Sequence, residues 1–263
     1  MAMTTSQRAK MSKTIQIVLF VVIIVVLALA VDWPRTQQAF FAFDKLSPMF
    51  PDIIVVGLKN TLFYTIISFA FGLVLGLVLA LMKLASFAPY RWIATAIIEF
   101  FRGIPAILVL LAFGFGLPTA FGSSWPQPVN VMCALGLVSA AYIAETLRAG
   151  LQAVPKGQVE AARSLGMPAW RAMVTIVIPQ AFKIVLPPMT NEIILLTKDS
   201  SLAFILGMAI TQYELTKFGR DGMSAIDAGM TPLVMAGLFY LCITIPLSLV
   251  ARKFESRSAR TKR

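Results

Sequence analysis

Histidine is absent from this sequence, cysteine occurs twice, and charged residues make up only 13% of it. Without histidine, and with Cys133 and Cys242 each isolated inside an apolar stretch, the commonest metal ligands and general bases are missing. That argues against metalloprotease or hydrolase chemistry, and equally against a disulfide framework. A phosphate-cradling loop of the Gly-x4-Gly-Lys-Ser/Thr type requires a Gly-Lys dipeptide, and none occurs. The charged share is roughly half that of an ordinary soluble domain. Too little polar surface is available to clothe a water-soluble protein of this length.

Apolar residues fill the space that charge leaves. The hydrophobic set covers 58% of 263 residues; counting Gly and omitting Tyr raises this to about 62%, against a soluble norm of about 45–50%. A run of about twenty apolar residues crosses the hydrocarbon as a helix, because its backbone must satisfy its own hydrogen bonds there. Six such runs are expected, near 15–31, 62–82, 93–117, 131–151, 184–206 and 231–251. Arg102, Gly103 and Pro105 interrupt the third, and polar residues interrupt the fifth. The fold class is therefore an all-α polytopic membrane protein with about six transmembrane helices.

The net charge of +11 reads as a topology signal, with no nucleic-acid partner expected, because Lys and Arg gather in short segments beside the apolar runs. With a cytoplasmic N-terminus and six alternating spans, seventeen Lys and Arg fall inside and six outside, which places both termini in the cytoplasm. The first run also resembles a signal peptide, with Ala28-Leu29-Ala30 at its end, but seventeen apolar residues are long enough to anchor. Gly72 and Gly76 form a small-xxx-small pair, expected to pack against another helix of the same chain.

The longest polar stretch on the proposed cytoplasmic side is 155–180. Val159, Ala162 and Leu165 recur at helical spacing, Gly166 supplies a left-handed helix end, and Pro168 suits the start of a second helix. The expected shape is a two-helix elbow. It could lie in the headgroups or dock a cytoplasmic partner, and periodicity does not choose between them.

The residues of this elbow resemble the cytoplasmic signature of ABC importer permeases. That signature reads Glu-Ala-Ala, three residues, Gly, nine residues, then Ile-x-Leu-Pro; here it is Glu160, Ala161, Ala162, Gly166, Ile176, Ile178 and Pro179, with Ile178 replacing Leu. AAYIAETLRAGLQAVPKGQ before it, PQAFKIVLPPMTNEIILLTKDSSL after it, and FFRGIPAILVLL around Arg102 are similar to the polar amino acid branch (histidine, glutamine and glutamate permeases). The resemblance implies a type I ABC importer permease fold and a division of the chain into 1–52 (tail, first span and external loop), 53–255 (permease domain) and 256–263 (basic tail). It implies that Glu160, Ala161, Ala162 and Gly166 couple the chain to an ATPase subunit. It further implies a second permease chain, an extracellular or periplasmic amino-acid-binding protein, and placement in a bacterial inner membrane. This chain is then no enzyme and needs no cofactor; ATP and Mg belong to the partner ATPase, and the cargo is a polar amino acid, glutamate-, glutamine- or aspartate-like.

Ionisable groups at membrane depth are costly and usually face a cavity or a partner. On that ground Tyr142, Glu145, Asn191, Glu192, Lys198 and Asp199 are the candidate lining of the substrate path. Glu145 could equally pair with Arg148, one turn away, and Asp199 or Ser200 could cap the helix that follows. A zwitterion needs one cation and one carboxylate, and Lys198 and Glu192 suit those roles by residue type. The competing class is an ion-driven secondary transporter, which also needs broken helices and midplane charges but has no use for the elbow.

Overall fold

The computed structural model describes residues 5–122 and 125–260; Lys262 and Arg263 of the basic tail lie outside the described residues. Twelve α-helices follow one another, with no strand among the described residues: α1 (Thr5–Ala30), α2 (Trp33–Phe40), α3 (Lys59–Leu84), α4 (Ala88–Gly103), α5 (Ala106–Leu111), α6 (Leu117–Phe121), α7 (Gln127–Gln152), α8 (Lys156–Ser164), α9 (Ala169–Ala172), α10 (Ile178–Asp199), α11 (Leu215–Ala225) and α12 (Thr231–Arg260). Short wide turns of π-helix lead into α3 and join α5 to α6 and α9 to α10.

Five helical stretches are individually long and apolar enough to cross a bilayer: Met11–Ala30, Ile53–Leu84, Gln127–Gln152, Ala169–Ile205 and Thr231–Ser256. The sixth expected span is a pair, Ala88–Gly103 and Ala106–Phe121, bent by 102°. The bend has a local cause. Pro105 brings no N–H and pushes the residue before it out of the helical region, and Ile104 accordingly sits at φ −100, ψ 136. The fifth span is also longer than the apolar run at 184–206, since its helix begins at Ala169 and runs unbroken for 37 residues. Hydropathy marks the lipid-immersed part of a helix, whereas backbone hydrogen bonding carries the helix past it into water.

The bundle is built around α7, which packs against α3, α4, α5 and α10. Its most apolar window is 56% buried, while that of the N-terminal span is 0% buried. Small residues make the central seam possible. A Cβ on Gly76 would lie 2.7 Å from Ile143 Cγ2, and one on Gly72 would lie 2.9 Å from the Gly136 carbonyl oxygen, so α3 and α7 approach nearly backbone to backbone. The small-xxx-small pair thus serves packing within the chain. At the opposite end from the elbow, Asn60 Nδ2 donates to the carbonyls of Thr211 and Tyr213 at 2.8 and 2.9 Å, tying α3 to the segment before α11.

Glu214 opens α11 and is fully buried. Its carboxylate accepts from the backbone N–H groups of Thr216 and Lys217 and from the Tyr240 hydroxyl of α12. Burial pushes this carboxyl up to about 7 even though all of these donors favour its charged form.

Candidate functional site

Two places carry the candidate residues, and they are built differently. The first is the elbow. After α8, Gly166 takes φ +87, its N–H donates to the Arg163 carbonyl at 3.0 Å, and the Met167 N–H reaches back to Ala162 at 3.1 Å. This is a Schellman stop, which needs the left-handed residue that glycine provides at no steric cost. Pro168 then caps α9 with an extended backbone, and the chain turns into the long helix of the fifth span.

Of the four residues assigned to coupling, Ala162 is buried, and Glu160, Ala161 and Gly166 are exposed. Around them Leu165 is 90% exposed and Trp170 is 70% exposed. Two large apolar side chains held out by a rigid turn form an anchor suited to a pocket on another protein.

The second place is an open-sided cavity of about 570 Å³ lined by α4, α5, α7 and α10, a volume within the range of small-molecule sites. Tyr142, Glu192 and Asp199 line it. Glu145, Asn191 and Lys198 do not. Glu145 is held by Lys83 of α3 and by Arg148, whose Nη2 lies 2.6 Å from its carboxylate, while Asn191 and Lys198 are exposed on α10.

The cation in the cavity is Arg102, at the end of α4 just before the bend. Its guanidinium stands 5.7 Å from the centre of the Tyr142 ring and 3.6 Å from Glu99, a long contact to an exposed carboxylate. Counted above as a topology charge, Arg102 lies in the lining of this cavity; an Arg embedded in an apolar run was the signal available for it.

Ser139 of α7 also lines the cavity and was not foreseen. It is 1% exposed, and its hydroxyl faces Glu192 without completing a hydrogen bond of normal geometry. Asp199 makes no side-chain cap bond to the turn that follows, and Ser200 bonds back to the Thr197 carbonyl at 2.8 Å, so the Asp199 carboxylate stays free to face the cavity. Among the described residues no group of His, Cys, Asp or Glu could hold a metal ion.

A helical bundle with spans long enough to cross a bilayer, an exposed apolar elbow at one end and a charged cavity within it fits a membrane permease. Residues 72–260 match the family described as the binding-protein-dependent transport system inner membrane component, and the chain belongs to that family. The arginine transport system permease protein ArtQ of Bacillus subtilis (strain 168) is 37% identical over 82% of this chain and 96% of its own length. The glutamate/aspartate import permease protein GltK of Escherichia coli O157:H7 is 34% identical over 83% of this chain and 99% of its own. The crystal structure of an amino acid ABC transporter with histidines superposes with a TM-score of 0.73 at 34% identity, covering 83% of this chain and 98% of that one. The chain is accordingly a multi-pass inner-membrane permease subunit of an amino-acid ABC importer with the type I permease fold.

Proposed function

We propose that this chain passes a polar amino acid across the cytoplasmic membrane through the cavity between α4, α7 and α10, driven by ATP hydrolysis on a separate subunit docked at the elbow. The observation that carries the reading is the cavity's lining, in which Arg102 and the carboxylates of Glu192 and Asp199 share one cleft. An amino acid presents a carboxylate and an ammonium, and opposite charges in a low-dielectric cavity are the matching recognition elements. Both termini then lie in the cytoplasm; removing Arg102 from the count leaves sixteen inner Lys and Arg against six outer, and the sign of the bias is unchanged.

Coupling follows from the shape of the elbow. Because α9 continues into the same unbroken helix that carries Glu192 and Asp199, a push on Leu165 and Trp170 tilts the wall of the cavity as a rigid body. The ATPase brings the ATP and Mg, a second permease chain, identical or homologous, completes the alternating path, and an external binding protein delivers the cargo. Relatives named for arginine and for glutamate/aspartate support the polar class while dividing on the side chain; a glutamate-, glutamine- or aspartate-like cargo is the expectation from sequence.

The test is reconstitution with the ATPase and binding protein in proteoliposomes, followed by uptake of labelled amino acids. Uptake is expected only with ATP inside the vesicle compartment that bears the elbow. Uptake driven by an ion gradient with no ATPase present identifies a secondary transporter and overturns the reading.

A further inference from the structure

We propose that residues 33–50 form a collar lying in the phospholipid interface on the membrane face opposite the elbow, held in that layer by its aromatic side chains. These residues precede the family match at 72–260, and the proposal does not depend on the transport reading.

Depth is the first reason. The first span ends at Ala30, the second begins at Ile53 and the sixth begins at Thr231. With alternating spans those three ends share one membrane face, and the elbow, between the fourth and fifth spans, lies on the other. The stretch between Ala30 and Ile53 is also pinned in its middle to the start of α12. The Met230 N–H donates to the Ala39 carbonyl at 2.6 Å, the Ala42 N–H donates to Thr231 Oγ1 at 3.1 Å, and Lys45 Nζ lies 3.2 Å from the Asp227 carboxylate. A Cβ on Gly229 would lie 2.7 Å from the Ala39 carbonyl oxygen, so the two backbones touch. Leu46, Met49 and Ile53 share one buried cluster with Leu215, Ala228 and Ala236. A segment fixed at both ends and in its middle to the ends of membrane spans stays at the level where hydrocarbon meets water.

The side chains that this weld leaves outside are the second reason. Trp33, Phe40, Phe41, Phe43 and Phe50 are 40% to 60% exposed. Large apolar rings gathered on an open surface mark a contact site, and at the edge of the hydrocarbon aromatic rings settle among the headgroups. Trp33 and Phe40 are seven residues apart on α2 and leave the same side of it, whereas Arg35 and Gln38 leave the other. That division suits a helix lying in the interface plane. The Trp33 indole N–H is already given to the Ala28 carbonyl at 2.8 Å, in the last turn of α1. It satisfies a carbonyl that the helix end leaves open and presents the rest of the ring as apolar surface.

Charge identifies the kind of lipid. The two cations between 31 and 52 are both paired, Arg35 with Asp32 at 3.1 Å and Lys45 with Asp227, and Asp44 and Asp52 add negative charge. Nothing there draws anionic headgroups as a polybasic segment does. The contact is made by rings against the glycerol and upper acyl region of a zwitterionic phospholipid such as phosphatidylethanolamine.

The test makes Trp33 the one indole of the chain by combining Trp92→Phe, Trp125→Phe and Trp170→Phe, with the melting temperature in detergent showing that the variant folds. It is reconstituted in vesicles of phosphatidylethanolamine with a minor share of phosphatidylglycerol, in which the phosphatidylethanolamine carries bromine either high or low on its acyl chains. Trp33 emission is expected to be lost most with the high bromine, as for a ring about 5–10 Å into the boundary. Acrylamide in the water should quench it weakly, and raising the phosphatidylglycerol share should leave the profile unchanged. Strong acrylamide quenching with no loss to either brominated lipid, the result for a face kept open for another protein, overturns the proposal. So does a greater loss to the low bromine, or a loss that requires phosphatidylglycerol. If the triple variant does not fold, the unaltered protein is irradiated in vesicles holding a phosphatidylethanolamine with a diazirine high on its acyl chain, and the adducts are mapped by mass spectrometry. Adducts within 33–50 are expected; adducts on α3 and α12 with none in 33–50 overturn the proposal.

Discussion

The elbow and the cavity sit on the same long helix and answer to different physics. In the elbow the backbone bonds that shape the turn link residues no more than five apart, and the product is an exposed apolar tip. In the cavity the polar groups come from α4, α7 and α10, and the product is a cleft with opposed charges. On the proposed function the contrast makes coupling and recognition separable: the tip would meet a partner surface, the cavity would meet the ligand, and the helical stretch Ala169–Ile205 joins them. Substitutions at one end should therefore leave the other end's signature intact.

The largest effect expected is at Arg102. Arg102→Gln removes the cation from the cavity and should lower uptake of every amino acid by about tenfold to a hundredfold, the range of hydrogen bonds to charged groups. Co-purification with the ATPase should be unchanged. Loss of ATPase docking in this variant would break the separation between the two regions.

Next comes the seam that holds the cavity wall in place. Gly76→Val inserts a branched side chain where even a Cβ would meet Ile143 at 2.7 Å and the Ala140 carbonyl oxygen at 2.9 Å. Overpacking of this kind costs about 1–3 kcal/mol. The melting temperature in detergent and the chain's abundance in the membrane should fall, and both functions should decline in parallel. A normal melting temperature would mean that α3 and α7 part more easily than their packing indicates.

At the elbow, Gly166→Val forces a β-branched residue into the left-handed region at a cost of about 1–2 kcal/mol. Insertion and amino-acid binding should be retained while uptake falls several-fold and ATP hydrolysis loses its stimulation by the loaded binding protein. Uptake and hydrolysis measured together in proteoliposomes check this, and a variant that transports normally removes the elbow from the coupling path.

The smallest effect belongs to Glu214, remote from both regions. Its folded carboxyl titrates near 7 because it is buried, above the ordinary carboxylate range. The folded state therefore holds a proton that the unfolded chain has released, so this group's contribution to stability is full below about 4.5 and is lost as pH rises through about 7. Melting temperature should decline between pH 5 and pH 8, and Glu214→Gln should flatten that decline without altering ligand preference. An equal slope in both proteins assigns the pH dependence to another group.

Much of this was legible along the chain. The bilayer-spanning helices follow from apolar runs too long for a soluble core, and the break at Ile104 follows from Pro105. The elbow could be read residue by residue because a glycine stop and a proline start act on their immediate neighbours. Residue type and depth singled out six candidates, of which Tyr142, Glu192 and Asp199 line the cavity and Glu145, Asn191 and Lys198 do not.

What the linear order could not supply was which of the polar residues meet. Glu145 and Glu192 are both carboxylates in apolar helices, yet the first is taken up by Lys83 and Arg148 while the second faces the cavity. Lys198 is adjacent in sequence to Asp199 but stands on the outside of the helix, and the cation that does line the cavity arrives from α4. Local bonds and solvent preference are properties of a short stretch of chain, and sequence by itself determined them. The sign and spacing of charge inside the cavity depend on how α4, α7 and α10 pack, on glycines that let backbones touch and on a bend that turns Arg102 inward, and only the tertiary structure decided those.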